Sequence, residues 1–291
     1  MIQYGPTITS LAGSPLTVTP EQRAQAIWLL QKYTSLTYVR RISSLWARFA
    51  AGYEAFARGE TTRTAFHRAN VASFYSYSDL LIKGIELVER GYPVGYEKIL
   101  GGCRFSGYLE SPAFELGYDA IGYHVNGLPE GLYTWAAVAS AMAAKLVVTL
   151  EGIWAFPRIV SPAFVRSPLP APLPPEPAPR GPVVPSGGVI PTTGIWRPVD
   201  VTSGCPNYFW VGLEAPPARR ADKRIDFPAV DTATGTVPAR TEYEDVYEPA
   251  QWQLVWDDRR YEHGRAPAPE EAAFLDPDTE APPWPPESLE R

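Results

Sequence analysis

Residues 162–185 read PAFVRSPLPAPLPPEPAPRGPVVP, with ten prolines in 24 positions. Proline locks φ and removes a backbone donor, so neither helix nor sheet is expected to continue through the stretch. It reads as an extended tether, spanning up to about 3.1 Å per residue, or as a strap laid over a surface. On its N-terminal side apolar residues recur at helical spacing; on its C-terminal side the runs are short and β-favouring. The expected organisation is therefore a helical domain over 1–160, a proline-rich linker or strap over 161–191, a small β-containing lobe over 192–263 and an acidic, proline-rich tail over 264–291. The expected fold class is mainly α: an N-terminal helical bundle, a proline-rich linker and a small irregular C-terminal lobe with some β.

The first helix announces itself at Thr19-Pro20-Glu21-Gln22. Thr19 suits the N-cap, Pro20 the first helical position, and Gln22 the reciprocal position of a capping box. The helix runs through Ile27, Leu30 and Tyr33. Neither Pro nor Gly separates it from a stripe of Ile42, Trp46, Phe49, Tyr53 and Phe56, so one kinked helix is an open reading. Gly59 ends that segment. A third helix, starting near Thr61 or Thr62, carries Phe66, Phe74, Tyr77, Leu81, Ile85 and Val88 and ends at Gly91 before Pro93. Between 92 and 130 glycines interrupt short apolar runs; Val94–Leu100 fits a short helix, and Tyr118–Val125 fits strand or helix. Leu132–Leu150 reads as the central helix of the bundle. It is apolar on most sides, yet Lys145 and Glu151 in the same stretch favour a buried helix over a membrane span. Past the strap, Ile195–Val201, Tyr208–Leu213 and Trp252–Trp256 are the expected strands.

Of the 291 residues 45% are hydrophobic, 12% aromatic and 20% charged, a globular composition. The net charge of −6 is unevenly spread: residues 1–160 carry +2, 161–191 +1, 192–263 −4 and 264–291 −5. An acidic C-terminal half repels phosphate backbones and attracts cations, so a basic protein is the expected partner and nucleic acid is not. Cys103 and Cys205 are the only cysteines, without CxxC spacing, and the three histidines are scattered. A disulfide framework and a zinc site of common composition are thereby disfavoured, and no cofactor is expected. Residues 1–20 lack a basic region followed by an apolar run, so a cytoplasmic chain without a secretory signal is expected.

Neither GxSxG, HExxH nor GxxxxGK[ST] occurs. His67, His124 and His263 therefore read as ordinary histidines, and both cysteines as buried thiols. The acidic run Glu242-Tyr243-Glu244-Asp245-Val246-Tyr247-Glu248 is different in kind. Strand alternation places Glu242, Glu244 and Val246 on one face and Tyr243, Asp245 and Tyr247 on the other. The run is a solvated acidic edge or, interleaved with tyrosines, a surface that meets a basic cleft. Asp257-Asp258-Arg259-Arg260 reads as local salt bridging. The aromatic residues Tyr208, Phe209, Trp210, Trp196, Trp252 and Trp256 read by default as the core of the small lobe, with any left exposed serving as interface anchors.

The capped helical start, Thr193-Gly194-Ile195-Trp196-Arg197-Pro198, Gly204-Cys205-Pro206-Asn207-Tyr208-Phe209 and Trp252-Gln253-Leu254-Val255-Trp256-Asp257-Asp258-Arg259-Arg260-Tyr261 together resemble bacterial polymorphic-toxin immunity proteins, in particular the related groups called immunity protein 71 and 72. These are packing motifs and not catalytic ones. The resemblance implies a cytoplasmic protein that binds a cognate toxin of type VI or contact-dependent delivery and neutralises it without turnover. The expected partner-binding residues, chosen on charge and exposure, are Glu242, Tyr243, Glu244, Asp245, Tyr247 and Glu248. No catalytic, cofactor-binding or metal-binding residue is expected, and no membrane partner. Two other readings stand beside this one: an adaptor or chaperone that loads an effector onto a secretion machine, and an enzyme with a site in 92–130 using His124 beside Cys103 or Asp119.

Overall fold

The computed structural model describes residues 6–12, 16–59, 64–106, 130–160, 169–201, 203–232, 235–262 and 274. They fall into two compact units, one drawn from Met1–Trp28, Gly152–Val165 and Ala171–Asp257, the other from Leu29–Glu151, Arg166–Pro170 and Asp258–Arg291. Five helices are described: α1 (Pro20–Tyr33), α2 (Leu36–Gly59), α3 (Thr64–Glu89), α4 (Gly95–Cys103) and α5 (Glu130–Leu150). Nine strands are described: β1 (Thr7–Ser10), β2 (Val183–Pro185), β3 (Gly194–Pro198), β4 (Asn207–Phe209), β5 (Ala218–Phe227), β6 (Val230–Thr232), β7 (Gly235–Val237), β8 (Arg240–Glu248) and β9 (Gln251–Asp257).

The expectation of a mainly α fold with minor β is corrected: the chain is mixed α/β. Its strands form antiparallel sheets of order β1-β5-β8 and β2-β9-β3-β4, plus the two-stranded β6-β7. The error has a physical source. The strand β5 reads ARRADKRIDF, and its residues are mostly half-buried. A ribbon with both faces partly wet lacks the apolar alternation that marks a strand sitting on a core. Cross-strand charge pairing specifies it instead.

The helices follow the apolar stripes closely. Thr19 N–H donates to Gln22 Oε1 at 2.9 Å and Gln22 N–H to Thr19 Oγ1 at 3.2 Å, so the capping box forms as written. Helices α1 and α2 are separate: the Thr34 hydroxyl donates back to Leu30 O at 2.7 Å, and Ser35 Oγ accepts from Tyr38 N–H at 3.1 Å, ending one helix and capping the next. Arg260 covers the end of α1, donating to Gln31 O and Thr34 Oγ1 at 2.9 Å each while paired with Asp258 at 2.7 Å. A cation at a helix C-terminus answers both the orphan carbonyls and the dipole. In the core Trp46 stacks on Phe105 at 3.8 Å and meets Phe74 edge-on at 5.2 Å; its indole N–H donates to Phe74 O at 3.0 Å. Gly84 of α3 and Gly95 of α4 bring their backbones together, a Cβ at Gly84 standing 2.8 Å from Gly95 O. Among the described residues no helix is long and apolar enough to cross a membrane.

In the other unit, Val184, Ile190, Trp196, Phe209, Trp252 and Leu254 are buried in one cluster, with Phe209 and Trp252 edge-to-face at 4.8 Å. Tyr208 is buried too, outside that cluster, so most of the aromatic group is core; Trp210 and Trp256 are half-buried. Within 171–185 the proline-rich segment lies along β9 as a strap. Leu254 O accepts from Arg180 and Gly181 N–H at 3.3 Å, and Glu176 bridges Arg23 at 2.8 Å and Arg197 at 2.6 Å. The segment does end in sheet: β2 pairs with β9 alone, an edge position where proline costs no ladder bond on its open side. Of the tail, Phe274 alone lies within the described residues.

Candidate partner-binding surface

All six residues expected to bind a partner lie on β8. That strand pairs with β5 from Ala218↔Glu248 to Phe227↔Arg240, with one irregularity between Ala221 and Lys223. Two oppositely charged segments of matched length thus run side by side. Lys223 stands opposite Glu244 in register and pairs with it at 2.9 Å, which holds the ammonium pKa above its ordinary value. Arg220 donates to Glu248 at 2.5 Å and reaches Asp222 at 3.3 Å; the Glu248 hydrogen bond raises its pKa further. Arg240 pairs with Glu242 on the same face of β8 at 2.8 Å. Asp226 of β5 accepts from the Thr241 hydroxyl at 2.6 Å, which, with Arg224 nearby, holds its carboxyl below the usual range.

Asp245 stands apart from the other acids. Its side chain is 4% exposed, 2.6 Å from Arg219 and 3.3 Å from Arg158. Burial and double pairing make it a structural carboxylate within the sheet. Tyr247, 60% exposed, has the Arg219 guanidinium 5.9 Å from its ring centroid. Tyr243 is half-buried, and its carbonyl accepts from Arg158. Glu242 and Tyr243, with Thr241, Pro157, Arg158 and Val160, line an open cleft of about 630 Å³.

The sheet therefore brings the six residues into one strand and supplies each of the four acids among them with a cation. Between 218 and 248 five basic residues face seven acidic ones, so the run is no bare negative strip. The surface left to a partner consists of exposed Tyr247, the paired but solvent-exposed carboxylates of Glu242 and Glu244, and the outer edge of β8. The cations Arg158, Arg219, Lys223 and Arg240 escaped the reading of the sequence. A signal was present: ARRADKR and EYEDVYE are complementary in charge and joined through the symmetric breaks Pro228-Ala229 and Pro238-Ala239.

Other candidates fare differently. Cys103 and Cys205 are buried, and burial pushes both thiols well above their ordinary pKa, away from the thiolate a nucleophile needs. His124, Asp119, His263 and the side chain of His67 lie outside the described residues. Asp258 pairs with Arg260, and Arg259 lies 4.0 Å from Glu262, both local contacts. Among the described residues no group of three His, Cys, Asp or Glu is placed to hold a metal ion.

No curated protein and no solved structure is detectably similar to the chain. A family does match, over less of the chain than the resemblance drawn from its motifs, which began at the capped first helix. Residues 175–275, which carry β2 to β9 and all six candidate residues, match the family described as immunity protein 72.

Proposed function

We propose that this chain is an immunity protein that binds and neutralises a cognate bacterial toxin by occluding it, without chemical turnover. The observation that carries the reading is the family match, which falls on the β-rich segment containing the β5–β8 ribbon. Within it, Glu242, Glu244 and Tyr247 are the named contributors, with Tyr243 and Glu248 beside them. Their carboxylates steer a basic toxin into encounter, and the tyrosines supply desolvated contact area that slows release. Asp245 contributes by holding the sheet in shape. The chain acts in the cytoplasm, on a toxin delivered by a type VI or contact-dependent system.

The test is co-expression with the toxin encoded by the adjacent gene. Cells are expected to survive, and the two proteins to co-purify as a binary, inactive complex. Lysine at Glu242 and Glu244 should weaken binding by about tenfold or more and flatten its salt dependence. Unchanged affinity and salt dependence would remove the electrostatic part of the proposal. A complex in which the toxin keeps its activity would replace inhibition by a carrier role.

A further inference from the structure

The strand β8 is nine residues long and lies at the edge of its sheet: β5 pairs along one side, and no described strand pairs along the other. An edge of this length is a template for another chain unless something blunts it. Two of the usual devices, proline and a bulge, are missing from β8, and its acids Glu242, Glu244 and Glu248 repel an acidic strand but not a basic one. The strand contains no proline, and the one irregularity of the ribbon falls between Ala221 and Lys223 on β5. One side chain does stand against the edge. Arg158 donates to the carbonyl of Tyr243, 85 residues away, and pairs with Asp245. Its guanidinium occupies the place where the N–H of a neighbouring strand would donate. Beside it the cleft of about 630 Å³ lies between Pro157, Arg158 and Val160 and the first residues of β8.

We infer that the toxin donates an extended segment to this edge, adding a fourth strand to the sheet β1-β5-β8. The inference rests on the immunity reading above and specifies its binding mode. Main-chain hydrogen bonds supply affinity in such strand addition, and alternate side chains supply specificity. The charges select the donor. On one face of the ribbon the basic Arg220 and Lys223 of β5 meet the acidic Glu248 and Glu244 of β8. A strand with Lys or Arg on that face continues the ladder, basic, acidic, basic, and gives Glu242 and Glu244 a second cation. On the other face it meets the rings of Tyr243 and Tyr247. Its amide displaces Arg158 from the Tyr243 carbonyl, leaving Arg158 to Asp245. The opposite edge of the sheet offers only the four residues of β1, too short a template to compete.

Hydrogen exchange on the full chain, alone and with the catalytically inactivated toxin encoded by the adjacent gene, tests this directly. Strand alternation turns the amides of Thr241, Tyr243, Asp245 and Tyr247 toward the open edge, as the Tyr243 carbonyl already is. These should exchange freely in the free protein and slow about tenfold or more in the complex. Tyr243→Pro removes one of these donors and should weaken binding well beyond Tyr243→Ala, with thermal unfolding of both variants as the control for folding. A complex that forms and protects cells while these amides stay unprotected overturns the strand addition and leaves the immunity reading standing. If the adjacent gene's product neither kills nor binds, both fall. Protection that rises with concentration of the chain alone assigns the edge to a second copy and overturns the inference.

Discussion

The side chain of Asn207 pairs with the backbone of Trp154 as a neighbouring strand would, accepting from its N–H at 2.7 Å and donating to its carbonyl at 3.3 Å. The same amide nitrogen also donates to Cys205 O at 3.2 Å. All three contacts are buried, so each satisfies a group that water cannot reach. Asn207→Ala strands the N–H and the carbonyl of Trp154 together. Loss of about 2–4 kcal/mol is expected in denaturant unfolding, with a lower midpoint and an unchanged slope.

A sharper contrast lies within β8. Asp245→Ala leaves Arg219 and Arg158 facing an emptied, buried position, whereas Glu244→Ala removes a carboxylate that is 55% exposed. Because both arginines reach solvent and keep carbonyl acceptors, the first should cost about 1–3 kcal/mol and the second less than about 0.5 kcal/mol. Equal effects in chemical denaturation would show that Asp245 holds nothing together.

The capping box makes a smaller claim. Thr19→Ala removes the acceptor for Gln22 N–H and should destabilise the protein by about 1 kcal/mol, with Thr19→Ser restoring most of it. The comparison is a three-way denaturation series.

Accessibility of the thiols follows from burial. Cys103 and Cys205 should resist a maleimide reagent at about pH 8 in the native protein and both react on unfolding. Rapid labelling of either thiol in the folded state would contradict the buried placement.

On the helical unit, the Tyr75 hydroxyl donates to Glu54 at 2.7 Å. That bond, with Arg58 assisting, lowers the Glu54 carboxyl; the same bond, with partial burial, raises the Tyr75 phenol. A lowered acid contributes stability above its ordinary range and loses it as pH falls through the folded value. A raised phenol contributes below its ordinary range and loses it as pH climbs through the folded value. The stability difference between wild type and Tyr75→Phe should therefore form a plateau at neutral pH and shrink at both ends. A difference independent of pH would show that the hydrogen bond is absent in solution.

Much of the helical structure was legible because its signals are local. Ile42, Trp46, Phe49 and Tyr53 repeat at the helical period, and Thr19 and Gln22 reach each other across one turn. The run at 242–248 was not among the expected strands; alternation told only which of its residues would share a face if it were one, and its electrostatics were not legible. Read alone, Glu242 to Glu248 is an acidic run. Read beside Arg219, Lys223 and Arg158, it is one side of a ladder with its central acid buried.

Spacing along the chain determined where helices start and stop, where proline interrupts them, and which aromatic residues form a core. Each of those outcomes depends on residues within a few positions of one another, and the physics of a helical turn or a proline ring acts over that range. Only the tertiary structure decided that ARRADKRIDF is a strand, that Glu176 ties the strap between Arg23 and Arg197, and that Arg158 guards the edge of β8. Those arrangements join residues tens of positions apart. A polar segment takes its conformation from the partner that satisfies its charges and backbone groups, and nothing in the segment itself names that partner.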